Sequence, residues 1–315
     1  MFGKPFVRTL ISRSAENRTD RRRFLKAAGA AGLGVVGATY LGVQATSSAS
    51  ATGEAAAAAE GPSDAAVLNF ALNLEYLEAE FYSFAVHGRG LPDDLTGGVG
   101  AQGGVAGGKK VKFHDKTLHQ FAKEIAGDEV AHVKFLRGAL GEAAVSRPEI
   151  DLEDSFTAAA RAAGLISEYQ RFDPFANEKN FLLAAFLFED VGVTAYKGAA
   201  PLITNKTFLD AAAGILAAEA YHAATIRTSM FDRGLGDAAA KISNARDALD
   251  GPGDGDQGIL LGNQANIVPA DDNGICFGRG ADRVLNVVYL NAGAVKEGGF
   301  FPKGVNGDLV ASGGA

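Results

Sequence analysis

The sequence predicts an all-α protein, a bundle of four long helices followed by an irregular C-terminal extension. Apolar residues recur at three- and four-residue steps through four long segments, which glycine or proline separates. Two of these segments carry the same Glu-x-x-His motif, which places both side chains on one helix face. Four amphipathic helices bury their apolar faces against one another, so a bundle is the expected arrangement.

The first 51 residues have the organisation of an export signal. Arg21 and Arg22 begin the pattern R-R-x-F-L-K, a weakly apolar stretch follows at 27–43, and Ala49-Ser50-Ala51 forms a small-residue cleavage site. The pattern resembles a twin-arginine signal, which implies export by the Tat translocase to the periplasm, the cell envelope or the exterior. Retention of the apolar stretch as a membrane anchor is the alternative. Residues 52–64, rich in Ala, Gly and Glu, are expected to form a linker.

The bundle is expected to occupy residues 65–235. A Gly-rich stretch at 97–108 excludes regular helix after the first segment, Gly141 ends the second and Pro201 ends the third. A short helix is also expected near 154–163. The four long segments are residues 65–86, 115–140, 177–200 and 206–231.

Residues 236–315 are expected to form an extension that wraps the bundle. Residues 267–274 read as an extended segment running into a turn, and 284–290 is a short apolar run. The segment 298–302, Gly-Gly-Phe-Phe-Pro, closes this part of the chain.

Charge and cysteine content exclude several classes of site. Residues 1–51 hold eight basic and two acidic residues, a net charge of +6, whereas the remainder holds 22 basic and 35 acidic residues, a net charge of −13. An acidic body argues against a nucleic-acid partner and is compatible with attracting cations. Cys276 is the single cysteine, so neither an intrachain disulfide nor a thiolate metal cluster can form.

Carboxylates inside apolar stripes are the most informative feature of the sequence. Glu189 directly follows the run Phe-Leu-Leu-Ala-Ala-Phe-Leu-Phe at 181–188, which leaves its side chain little route to water. Burying an unpaired carboxylate is very unfavourable, so a proton, a cation or a metal is expected beside it. The two Glu-x-x-His motifs are Glu129/His132 and Glu219/His222, each inside a long helical segment.

The two halves of the bundle repeat this pattern. Glu75 is followed seven residues later by Tyr82, and Glu189 is followed seven residues later by Tyr196. Each tyrosine therefore lies on its own glutamate's helix face, where it serves either as core packing or as a hydrogen-bond donor to a ligand. The two Glu-x-x-His motifs stand 90 residues apart.

This arrangement resembles the ferritin-like di-metal carboxylate proteins. Three longer stretches, at 73–82, 188–196 and 218–222, are similar to Tat-exported bacterial ferritin-like proteins and plant desiccation-related proteins, and the tail segments 266–273 and 298–302 fit the same group. The resemblance implies a ferritin-like four-helix bundle with two metal ions and six ligands: Glu75, Glu129, His132, Glu189, Glu219 and His222.

The sequence leaves the roles of three further carboxylates undecided. An additional glutamate three residues after the first ligand is a metal ligand in some ferritin-like proteins, so Glu78 is either a further ligand or a polar group facing Gly192, the matching position of the second half. Asp128 and Asp190 adjoin ligands in sequence but point about 100° away from them, which leaves a supporting role open.

Oxygen-rich sites with two imidazoles suit iron, or alternatively manganese. The resemblance implies that the protein oxidises Fe(II) or scavenges peroxide. The small oxidant would then be O₂ or peroxide. Such chemistry fits oxidative or desiccation stress defence. The alternative is a structural desiccation-related protein in which the metal site only stabilises the bundle. Homo-oligomerisation is left open by the sequence.

Overall fold

A computed structural model describes residues 61–251, 253 and 255–314. The predicted signal segment 1–51 and residues 52–60 of the predicted linker lie outside these residues. Four long α-helices dominate the described chain: α1 (Asp64–His87), α2 (Lys116–Leu140), α4 (Glu178–Ala199) and α5 (Lys206–Asp232). The all-α bundle predicted from the sequence is confirmed.

Polar side chains set where the long helices begin. Ser63, Asp115, Asn177 and Asn205 each accept a hydrogen bond from a backbone N–H of the first turn. These bonds satisfy donors that the helix itself leaves free. At the other end of α1, Gly88 adopts a left-handed conformation (φ 73°) that an L-residue side chain disfavours.

Short elements connect the helices. The Gly-rich stretch contains β1 (Val105–Ala106), which pairs in parallel with β2 (Ile150–Asp151). A Cβ at Gly103 would lie 2.2 Å from the backbone nitrogen of Glu149, so only glycine allows this close approach. The short helix α3 (Asp154–Ala162) follows β2, near the position that the sequence predicts.

The C-terminal extension is more helical than the sequence analysis expected. It contains α6 (Gly236–Asp250) and α7 (Ala281–Val288), together with an antiparallel pair, β3 (Leu260–Leu261) and β4 (Gln264–Ala265). Ala239, Ile242 and Arg246 are buried at helical spacing along α6, a periodicity that alanine and charged residues conceal in the sequence. The predicted extended segment is irregular, with a single bridge from Ala270 to Cys276 around a turn.

A buried ionic network fastens the extension to the bundle. On α4, Asp190 accepts hydrogen bonds from Arg227 of α5 and Arg246 of α6, at 2.7 and 2.9 Å. Asp256 in turn forms ion pairs with Arg246 and Arg279. Because every charge here has an opposite partner, the network tolerates burial that would be very unfavourable for an isolated ion.

Aromatic packing closes one side of the bundle. Phe300 of the extension contacts Phe156 and Phe188 edge-on, each at 4.9 Å between ring centroids. Val287 and Val288 of α7 are buried in the same core. The extension therefore covers the face formed by α1 and α4. Among the described residues, no helix is both long enough and apolar enough to cross a membrane.

Candidate metal centre

The structure brings the six sequence-predicted ligands together in the middle of the bundle. Helices α1 and α4 each contribute one glutamate, and α2 and α5 each contribute a Glu-x-x-His pair. The ligand atoms form two overlapping groups, in each of which they lie within 4.8 Å of one another. The first group is Glu75, Glu129, His132 and Glu219, and the second is Glu129, Glu189 and His222.

Glu129 belongs to both groups and stands between the two histidines. Its Oε1 lies 3.0 Å from Nδ1 of His222, and its Oε2 lies 3.5 Å from Nδ1 of His132. Each carboxylate oxygen therefore faces a different imidazole. Glu129 could therefore contribute an oxygen to a metal ion beside either histidine.

The remaining contacts divide the site into two halves. Around His132, the Nδ1 atom lies 3.2 Å from Oε2 of Glu75 and 3.5 Å from Oε1 of Glu219. Around His222, the Nδ1 atom lies 3.7 Å from Oε2 of Glu189. Each half thus holds one imidazole and one glutamate of its own, and Glu129 is common to both.

The candidate ligand atoms that point into the centre are buried and form no hydrogen bonds that meet the usual geometry. Eight of them find no hydrogen-bond partner among the residues that the structure describes. Leaving so many buried polar atoms unsatisfied is costly, whereas metal ions would satisfy carboxylate oxygens and imidazole nitrogens together. The donor set therefore fits a two-metal site. The eight atoms are Oε2 of Glu75, both oxygens of Glu129, Oε2 of Glu189, both oxygens of Glu219, and Nδ1 of His132 and of His222.

The two tyrosines donate hydrogen bonds across the bundle. The hydroxyl of Tyr82 donates to Oε1 of Glu189, and the hydroxyl of Tyr196 donates to Oε1 of Glu75. Seven residues span about 10 Å of helix, too far for a tyrosine to bond the glutamate of its own helix. The partners show that α1 and α4 run antiparallel, so each tyrosine lies opposite the other helix's glutamate. Both side chains are also fully packed in the core.

Asp128 supports only one of the two histidines. Its Oδ2 lies 3.1 Å from Nε2 of His222, on the side of the ring that faces away from the centre. A carboxylate in this position orients the ring and directs the other nitrogen toward the ligands. The residue ninety positions later is Ala218, so α5 provides no equivalent carboxylate for His132.

Glu78 is a fifth buried carboxylate beside the centre, outside both ligand groups. A Cβ at Gly192 would lie 2.6 Å from Oε2 of Glu219 and 3.3 Å from Oε1 of Glu78. The missing side chain at Gly192 therefore creates the space that both carboxylates occupy. Burial, followed by the charges of Glu189 and Glu75, raises the pKa of Glu78 well above its usual range, so this group holds a proton.

Electrostatics in the metal-free centre favour protonation of the ligands. Burial and the neighbouring carboxylates raise the pKa of Glu129 and of Glu219 well above the usual range. Burial is also the main reason that the pKa of Glu189 rises to about 8. Cations would relieve this repulsion, so metal binding must displace protons.

The two histidines respond differently to their surroundings. Burial tends to lower the pKa of His132, but its contact with Glu75 raises it above the ordinary value. Burial lowers the pKa of His222, and Asp128 offsets this only in part. His222 is therefore the imidazole that more readily stays neutral, the form that binds metals.

Comparison with known proteins agrees with the geometry. The sequence pattern of the ferritin-like domain matches residues 63–232. The chain is 31% identical over 267 residues to the desiccation-related protein PCC13-62 of Craterostigma plantagineum, covering 78% of this chain and 83% of that protein. It is 28% identical over 269 residues to the ferritin-like catalase Nec2 of Nesocodon mauritianus, covering 79% of this chain and 85% of that protein. No solved structure matches.

This chain belongs to the ferritin-like family. Its candidate metal site is built from residues of all four long helices of the matched domain. The desiccation-related relative agrees with the resemblance seen in the sequence.

Proposed function

We propose that this protein is an exported ferritin-like di-metal protein that scavenges peroxide in stress defence. The position of Glu129 between the two histidines, in a group of eight buried ligand atoms without hydrogen bonds, is the observation that carries the proposal. Four ionised glutamates would balance the charge of two divalent ions. A ligand set of oxygen and imidazole nitrogen favours iron, or alternatively manganese, over softer metals.

Bound iron or manganese would supply reversible electron exchange with peroxide or O₂. The protein's own groups hold the ligands and manage protons. Tyr82 and Tyr196 fix one oxygen of Glu189 and of Glu75, which leaves the second oxygen of each directed at the centre. Glu78, whose pKa burial raises in the metal-free centre, lies close to Glu219, where it could give or take a proton.

The relative named as a ferritin-like catalase favours peroxide over Fe(II) as the substrate. The test is O₂ release from hydrogen peroxide by protein loaded with iron or with manganese, beside Fe(II) oxidation under O₂. We expect metal-dependent O₂ release that Glu129→Gln abolishes and that Glu142→Gln, an exposed carboxylate, leaves unchanged. Loaded wild-type protein that neither releases O₂ nor oxidises Fe(II) would refute the catalytic proposal.

The desiccation-related relative favours a second candidate function. In this alternative the metal site only stabilises the bundle. A metal that raises the melting temperature without any turnover of peroxide or Fe(II) would support it. Turnover that disappears on ligand substitution, while the fold persists, would exclude it.

Export rests on the N-terminal motif, which lies outside the described residues. We propose that the Tat translocase recognises Arg21 and Arg22. Replacing both with lysine keeps the charge and removes the twin-arginine motif. The precursor of that variant should stay in the cytoplasm, as fractionation and immunoblotting would show. Normal export of the variant would refute the assignment.

A further inference from the structure

The two faces of the centre differ in their exposure to solvent. On the face formed by α1 and α4, a pocket of about 20 Å³ lies beside Glu78 and Gly192. Val288 and Phe300 of the C-terminal extension are among the residues that line this pocket. A space of this size holds about one water molecule at most.

The opposite face, between α2 and α5, is open. A cavity of about 270 Å³ lies there, and its lining includes Asp128 and one candidate ligand, His222. A second cavity of about 560 Å³ continues outward along the same helices. Phe121, Tyr221 and Thr225 line both cavities, so they flank the junction between the two.

The inner cavity has an acidic lining. Glu124 and Asp128 contribute carboxylates, and no lysine or arginine lines it within the described part of the chain. A concave surface that carries one sign of charge concentrates ions of the opposite sign and repels those of its own. His222, whose Nε2 contacts Asp128 on the outer side of the ring, lines this cavity together with Asp128.

We propose that this groove between α2 and α5 is the route by which divalent cations reach the centre, passing Phe121 and Tyr221 and arriving at the Asp128–His222 pair. The groove offers far more space than the α1/α4 face, and the acidic lining of its inner cavity favours cations. The inference rests on the proposed function only in requiring that the centre binds metal.

The test is the rate at which metal-free protein takes up Mn(II), measured by stopped-flow competition with a fluorescent chelating indicator. Ala218→Phe and Thr225→Phe fill the inner cavity from α5. Each should slow uptake about tenfold or more, a barrier increase of about 1.4 kcal/mol, with unchanged final manganese content. Ala213→Phe, an exposed position on the same helix away from both cavities, is the matched control and should leave the rate unchanged.

Two further variants keep the inference falsifiable if a filling substitution disturbs folding. Phe121→Ala widens the junction and should accelerate uptake. Glu124→Gln should slow uptake and weaken its dependence on salt concentration, because one attracting charge is gone. Unchanged rates in all four groove variants would overturn the proposed route. Wild-type protein that binds no Mn(II) and no Fe(II) at all would instead refute the metal centre itself, and the route with it.

Discussion

Glu189→Gln should weaken metal binding and yet stabilise the metal-free protein at high pH. In the metal-free fold, burial above all raises the pKa of Glu189 from 4.5 to about 8. A raised pKa means that the folded state holds the proton more tightly than the unfolded state does. The contribution of Glu189 to the free energy of unfolding is therefore fully present below about pH 4.5 and is lost as pH rises through about 8.

The size of the effect follows from the two pKa values of Glu189. At about 1.4 kcal/mol for each pKa unit, the rise from 4.5 to about 8 corresponds to about 5 kcal/mol of lost stability. Glutamine has no charge to bury, and its amide oxygen can still accept the hydrogen bond from Tyr82. The variant should therefore be the more stable metal-free protein near pH 8 and should match the wild type near pH 4.5.

Urea denaturation with chelator, at several pH values, measures this difference. Glu142→Gln, which removes an exposed carboxylate, is the matched control and should follow the wild type. With metal bound, the wild type should become more stable than Glu189→Gln, because metal binding stabilises the wild-type fold more than the variant. Equal pH dependence of metal-free wild type and Glu189→Gln would refute the reasoning and show that Glu189 is not a buried, destabilising charge.

Three more substitutions test the surroundings of the ligands. Tyr82→Phe removes a hydroxyl that orients a ligand, and metal titration should show an affinity about 10- to 100-fold lower. Gly192→Ala places a methyl group 2.6 Å from Oε2 of Glu219, so the same titration should show weaker binding while circular dichroism shows an intact bundle. Asp128→Asn weakens the hydrogen bond that orients His222. The metal affinity should therefore fall only in the half of the site that holds His222, and a metal titration should show two separate binding steps.

The sequence predicted the long helices and the clustered ligands because both follow from local spacing. Because a helix has 3.6 residues per turn, the Glu and His of Glu-x-x-His lie on one helix face. Glu189 is conspicuous in the sequence because an apolar run directly precedes it. For Tyr82 the sequence left core packing and a hydrogen bond to a ligand open, and the structure shows a bond to Glu189 of the facing helix. That contact depends on the antiparallel arrangement of α1 and α4, which no spacing within one helix encodes.

The extension and the groove were also beyond the reach of the sequence. Helix α6 carries many alanine and charged residues, so its sequence shows only a weak apolar periodicity. Arg246 belongs to the buried face because it pairs with Asp190, which the sequence does not reveal. Arg227 is also fully buried, because it pairs with Asp190, a carboxylate of another helix. Cavities between helices depend on how far apart the helices pack, which sequence periodicity does not determine.

The number of metal ions bound per chain tests the central claim most directly. Metal-free protein lacking residues 1–51 would be equilibrated with excess Fe(II) under anaerobic conditions or with Mn(II), dialysed, and assayed for metal by elemental analysis. Wild-type protein should hold two ions per chain, and Glu129→Gln should lose the paired site because Glu129 faces both histidines. A wild type that retains no metal, or a Glu129→Gln variant that retains as much as the wild type, would contradict a two-metal centre at these six residues.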